Sequence, residues 1–284
     1  MGNCFGSKRE GSYEPYGRSS NNGGGVKGPL SDDKMVATWK QTGIVGLRDR
    51  GVKEIPASVE HVGADAKVLD ATNNKISAIP DFLIHLNSLQ RLVLSSNLIQ
   101  DVPGPVLISL APTLRILLLD NNQIEKLPDE IGALWRLEKL SLKSNRLSHL
   151  NPNVGKCAAL QFLTVSQNKL DALPAEVGDC QSLEEIDASG NGLREITPSL
   201  GKLQKLKTLS VDNNSILQVP SEIFLNCAAL QTLSLHGNPI VPDSIQETDG
   251  YKEFETRRRQ KYSKAIAGGV LMGPRGMDEG VDRK

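Results

Sequence analysis

The chain has 284 residues with 33 basic and 33 acidic side chains, so its formal charge is zero and no overall field draws it toward nucleic acid. No apolar run approaches the ~18 residues that a membrane-spanning helix needs, and the opening "MGNCFGSKRE" has no apolar core of a secretory leader. Aromatic residues are scarce at 4 %, which points to an interior of aliphatic side chains of uniform size.

Gly2 follows the initiator methionine. With Cys4, the small residues Gly6 and Ser7, and the bases Lys8 and Arg9, this start resembles the N-myristoylation signals of dually acylated signalling proteins, with glycine rather than serine at position 6. The resemblance implies a myristoyl chain on Gly2. One such chain binds a bilayer only marginally, with a constant on the order of 10⁴ M⁻¹. A palmitoyl group on Cys4 would complete the anchor, and Lys8 and Arg9 would each add about 1 kcal/mol at an anionic leaflet. Residues 7–30 are rich in Gly, Ser and Asn and hold little to bury. Residues 1–30 are therefore expected to form a flexible acylated tether spanning roughly 27 Å. Ser31 reads as an N-cap, with Asp32 and Asp33 in the first turn and Met35, Val36 and Trp39 on one face. This predicts a short helix over 31–41 that covers the first coil of the domain beginning at Thr42.

From Thr42 the chain repeats. The pattern L-x-x-L-x-L-x-x-N-x-L is clearest from Leu114 to Leu147, and its asparagine recurs as Asn74, Asn97, Asn122, Asn145, Asn168, Asn191, Asn214 and Asn238, at steps of 23, 25, 23, 23, 23, 23 and 24 residues. This is a leucine-rich repeat array. Within a unit, Leu140 and Leu142 alternate with Lys139, Ser141 and Lys143. That period of two sends the leucines inward and the polar residues to one face of a short strand. Each unit returns through a segment such as "KLPDEIGALWRL", where Pro128 starts a helical or 3₁₀ turn. One unit cannot bury its own interior, so the units must stack, and eight full ones give a parallel sheet on the order of 40 Å long. The asparagine amide is placed to join each turn to its neighbour in a ladder. The fold class expected is an α/β leucine-rich repeat solenoid over 42–249, with a curved parallel sheet on the concave face, helical and 3₁₀ turns on the convex face, and capping helices. The first unit, "TGIVGLRDRGVKEIP", is degenerate, with Arg50 in the asparagine position. Asn151-Pro152 in one unit and two extra residues around "VPGPVLISLAPTL" in another are expected on the return side.

At the end, "GYKEFETRRRQKYSKAI" reads as a helix over 250–267, with Tyr251, Phe254, Tyr262 and Ile266 on one stripe to cover the last coil. Arg257, Arg258 and Arg259 leave it basic, which suggests a solvated face or a second membrane contact beside the lipid anchor. Residues 268–284 are Gly-rich and expected to be disordered. Cys157, Cys180 and Cys227 share one repeat phase where other units place leucine, so they read as core thiols. Trp135 on the return side is expected to be partly buried against a neighbouring coil.

Taken together, the "MGN" start, the first unit, the 23-residue "LPxxIGxLxxL" repeats and the terminal "GYKEFETRRRQKY" helix resemble the leucine-rich repeat-containing protein 57 family. The repeats also resemble the intracellular Ras-group type. The first resemblance implies an intracellular, lipid-anchored interaction protein. The second implies small GTPases or phosphatase complexes as partners.

A repeat solenoid binds through what its concave face displays. Three outward columns can be read off the register. Across the middle repeats Val93, Ile116, Leu118 and Phe162 form an apolar cluster beside Arg91, Lys139, Lys143 and Asp120. Apolar groups rimmed by charge are what a protein-binding hot spot requires. Glu184, Glu185 and Asp187 suggest an acidic patch one step further on. No nucleophile with a base, no phosphate loop and no metal-ligand spacing occurs, so neither an enzyme nor a cofactor is expected. Alternating charge along the columns speaks against nucleic acid.

Overall fold

The computed structural model describes residues 32–267. Its strands are only three residues long: β1 (Ile44–Gly46), β2 (Val68–Asp70), β3 (Arg91–Val93), β4 (Ile116–Leu118), β5 (Lys139–Ser141), β6 (Phe162–Thr164), β7 (Glu185–Asp187), β8 (Thr208–Ser210) and β9 (Thr232–Ser234). They pair in chain order as one parallel sheet. The first residues of the strands, from Ile44 through Val68, Arg91, Ile116, Lys139, Phe162, Glu185 and Thr208 to Thr232, are register partners. Residues one unit apart therefore stand side by side, and the outward columns run unbroken across the sheet. The middle residue of every strand points inward, from Val45 to Leu233, and none is more than 6 % exposed.

The asparagines join the coils. Asn145 donates through its amide nitrogen to its own Leu142 carbonyl at 3.0 Å and to Leu119 in the preceding coil at 2.9 Å, while its Oδ1 accepts the Ile124 N–H at 3.0 Å. Asn122 repeats this with Leu119, Leu94 and Ile99. At the start, Asn74 extends the ladder into the degenerate coil, accepting from Arg50 and Val52 and donating to the Leu47 carbonyl. The residue before each asparagine has left-handed backbone, with φ between 53° and 68° from Asn73 through Ser96, Asn121, Ser144, Gln167, Gly190 and Asn213 to Gly237. Asn and Gly adopt that region readily. Serine and glutamine do so less easily, so at Ser96, Ser144 and Gln167 the ladder bonds hold the turn.

The return side uses 3₁₀ turns such as Asp129–Ala133 and Ala175–Asp179, entered through Pro128 and Pro174 in extended conformation. The two extra residues form helix α2 (Gly104–Leu110) in place of a 3₁₀ turn. At Asn151-Pro152 the asparagine caps the turn instead of proline, accepting the Asn153 N–H at 2.9 Å and donating to Asp129 at 2.8 Å. The glycine of "LPxxIG" has a packing reason. A Cβ on Gly132 would stand 2.9 Å from the Asn153 carbonyl oxygen, and one on Gly178 would collide with the Ser199 carbonyl, so neighbouring turns approach as closely as the backbone allows.

Both ends are covered. Trp39 of α1 (Asp32–Thr42) is buried, with Met35 and Val36 packed against the core. At the other end α3 (Ser221–Asn226) buries Phe224 fully. A further short helix, α4 (Pro242–Gln246), precedes α5 (Tyr251–Ala267). Tyr251 and Phe254 of α5 pack on Phe224 with ring centroids 5.4 and 5.3 Å away. Cys157, Cys180 and Cys227 are fully buried, and each thiol donates to a carbonyl of the preceding coil at 3.3 Å. Burial pushes their pKa up, to about 12 at Cys157 and Cys180 and about 11 at Cys227. Trp135 departs from expectation. Leu134 and Leu137 fill the interior on either side of it, so the indole is turned outward, 51 % exposed, with the Arg136 guanidinium 4.5 Å from its ring centroid.

Asn145→Ala leaves the Ile124 N–H without its partner and takes from the Leu119 and Leu142 carbonyls one of the two asparagine amides that each accepts. It is expected to cost about 1–3 kcal/mol and to lower the melting temperature by several degrees in a thermal melt, whereas an unchanged melt would show that the ladder bears no load.

Candidate concave binding face

The face is built from the side chains that flank each inward leucine. In the first column Arg91, Ile116, Lys139 and Phe162 are each half-buried, and Glu185 is exposed. Lys139 and Phe162 are register partners on β5 and β6. The Lys139 ammonium lies 6.0 Å from the Phe162 ring centroid, within reach of a cation–π attraction. Leu118, in the second column on β4, is also half-buried, so Ile116, Leu118 and Phe162 together leave apolar surface facing solvent on the inner side of the sheet. Lys143 is exposed beside them.

Two residues expected in this cluster have other roles. Val93 is only 5 % exposed. It stands in the second column between Asp70 and Leu118, and side chains on the inner side of a curved sheet crowd together, so this valine is covered by its neighbours on the concave side and offers little surface to a partner. Asp120 is a brace between coils. Its Oδ1 accepts the Ser141 hydroxyl at 2.5 Å and the Lys143 N–H at 2.8 Å, which ties the end of β4 to the next strand. Asp212 does the same one end further on, accepting from Ser234 and from the His236 N–H. The acidic patch is likewise smaller than expected. Glu184 pairs with Lys207 of the following coil, leaving Glu185 and Asp187 on the concave face.

The basic terminal helix changes most. Arg257 donates to the Phe224 carbonyl at 2.7 Å. Arg258 is 7 % exposed, with its guanidinium 2.9 Å from Glu255. These arginines follow Phe254 by three and four residues, so all three share the helix face that covers the last coil. Arg257 thus ties α5 to the last coil, and Arg258 is buried on the same face of the helix. Arg259 alone of the three is turned outward, with its side chain 75 % exposed and 3.4 Å from Glu255. Gly2, Cys4, Lys8 and Arg9 lie outside the described residues, as do Ser31 and residues 268–284.

Sequence reasoning did not single out the polar end of the columns, where Ser166, Ser189 and Gly190 stand close to Asp187 and Asp212. The signal was present in the left-handed position before each asparagine, which glycine fills at 190.

The family model for leucine-rich repeats matches residues 112–170, 135–193 and 181–240. A plant intracellular Ras-group-related LRR protein, number 7 of Oryza sativa, is 53 % identical over 252 residues, covering 89 % of this chain and 95 % of the relative. Among solved structures, a leucine-rich repeat protein of Leptospira interrogans superposes with a TM-score of 0.64 at 26 % identity, over 77 % of this chain and 61 % of the other. The plant peptide hormone receptor RGFR1 in complex with RGF2 gives a TM-score of 0.58 at 26 % identity, over 66 % of this chain and 31 % of the receptor. The rice relative matches nearly end to end, and this chain belongs to the plant intracellular Ras-group-related LRR protein family.

Proposed function

We propose that this chain is an intracellular binding module held at the cytoplasmic face of a membrane, the plasma membrane in the first instance, with a cytosolic pool. Acyl groups on Gly2 and Cys4 supply the anchor, and a partner protein docks on the concave face. The observation that carries the binding half is the apolar surface of Ile116, Leu118 and Phe162, half-buried in the outward columns of the sheet, with the Lys139 ammonium over the Phe162 ring. Desolvating such a patch at the centre of an interface supplies most of the binding energy, while Arg91 and Lys143 at its edge favour one charge pattern in the partner. The anchor half rests on the sequence "MGNC" and on the likeness to the leucine-rich repeat-containing protein 57 family. Among the described residues no helix is long and apolar enough to cross a membrane, so attachment through this part of the chain would need another means.

In this reading the protein is an adaptor that brings a signalling partner to the membrane. A second reading, favoured by the 53 % identity to a Ras-group-related relative, is a direct regulator of a small GTPase or a phosphatase complex. The two differ in solution. A regulator changes its partner's turnover without any anchor, whereas an adaptor acts only where the partner must reach the bilayer.

The double variant Phe162→Ala, Leu118→Ser is expected to keep the wild-type melt and lose most captured partners in pull-downs, since neither side chain enters the core. Recovery of the same proteins would place binding elsewhere. For the anchor, metabolic labelling with an alkyne myristate analogue is expected to mark the wild type and leave Gly2→Ala unlabelled and soluble on fractionation. A labelled Gly2→Ala form, or an unlabelled wild type, would remove the acylation reading.

A further inference from the structure

At the C-terminal ends of β5 to β8 the concave face opens into a polar trough of about 290 Å³. Lys143 stands at its β5 end, Asp187 and Asp212 toward β7 and β8, with Ser166, Ser189 and Gly190 between. The trough exists because small residues interrupt two aligned columns here, Ser166 and Ser189 in one and Gly190 in the other. Ser189 and Gly190 occupy the positions held by Lys143 and Ser144 two coils earlier and by Asp212 and Asn213 one coil later.

Three polar side chains bear on what the trough can hold. Asp187 uses Oδ1 to accept the Ser189 N–H at 3.1 Å, and Asp212 uses Oδ1 for Ser234 and His236. The bonds that hold both carboxylates run through Oδ1. Asp212 lies two residues beyond Ser210, the register partner of Asp187, so their Cα atoms are about 8 Å apart on one face. Ser166 is 3 % exposed, and its hydroxyl lacks a hydrogen-bond partner among the described residues. Buried hydroxyls normally have a partner, and here a donor entering the trough would provide it.

The ligand that fits is a cation with several N–H donors and no acceptor. Two carboxylates outweigh the single ammonium of Lys143, which repels a cation toward the β7 and β8 end. Among the described residues no group of three or more His, Cys, Asp or Glu side chains is placed to hold a metal ion. A guanidinium presents five donors in a planar fork suited to carboxylates. We propose that the trough between Ser166, Asp187 and Asp212 receives an arginine side chain of the protein segment that docks on the concave face, a step that rests on the concave-face reading above. The spacing suits one segment. Phe162 and Ser166 are four residues apart on one strand line, roughly 13 Å, so an extended peptide with an apolar anchor on Phe162 reaches the trough about four residues away.

The test titrates the full-length protein with N-acetyl-arginine amide, and in parallel with the neutral N-acetyl-citrulline amide, following the backbone amide resonances of Ser189 and Gly190. Saturable shifts with the arginine probe and none with citrulline are expected. Asp187→Asn keeps an acceptor for the Ser189 N–H but loses the charge, and it should weaken the arginine response about tenfold or more. Lys143→Ala should strengthen it. Equal responses to both probes, an arginine response indifferent to Asp187→Asn, or shifts produced only by Ca²⁺ or Mg²⁺ would overturn the proposal. The Phe162→Ala, Leu118→Ser variant should bind the arginine probe as wild type does. A lost trough response with an intact dependence of partner capture on Phe162 and Leu118 therefore rejects the arginine site and leaves the concave-face reading standing, and the converse pattern rejects that reading alone.

Discussion

Each coil of this solenoid is held at a fixed distance and register from the next by one asparagine amide, which, as at Asn145, bonds to carbonyls and an N–H that lie in two different coils. Those backbone groups sit where the chain turns off the strand and has no sheet partner of its own. Left unpaired in the interior they would destabilise every unit. Because the same amide solves the problem in every coil, the coils superpose, and the residues between them fall into straight columns. On the opposite side, the glycines of the return turns let the backbones touch, so both faces of the stack are set by close approach and hydrogen bonding rather than by bulky side chains.

The columns divide the concave face by chemistry. Some polar groups there serve the fold. Asp120 and Asp212 each tie two coils through one oxygen, and Asp70 accepts from Arg48 and Thr72. Others have nothing comparable to hold. Phe162, Leu118 and Ile116 leave apolar surface exposed where a sheet with no partner would carry polar residues, and the serines near Asp187 leave a gap instead of a brace. A contact surface made in this way is rigid, since its residues stand on a sheet whose strands cannot slide past one another without breaking the ladder. Little ordering of the receptor is then needed on binding.

Strand positions and outward columns were legible in the sequence, because a period of two and a near-constant repeat length determine which side chain neighbours which. Even the pairing of Lys139 with Phe162 comes from counting. What could not be counted depends on curvature and on packing between distant elements. Val93 is in an outward column, yet the bend of the sheet covers it. Arg257 and Arg258 look like a basic surface in a linear reading, but they belong to the helix face that closes the last coil, and one of them caps the Phe224 carbonyl. Trp135 carries more apolar area than its neighbours and still faces water, because leucines on either side already occupy the interior. Asp120 has the residue type of a contact group, but its oxygen bridges two strands. In each case the residue type was informative and the third dimension decided its use.

The most direct measurement replaces Phe162 on the concave face, and separately Trp135 on the convex face, with a photo-crosslinking amino acid in the full-length protein inside cells. Binding through the concave sheet predicts a discrete set of crosslinked proteins from position 162 that is absent from position 135. Crosslinks that are strong from position 135 and missing from position 162 would contradict it, and would move the partner to the return side of the solenoid.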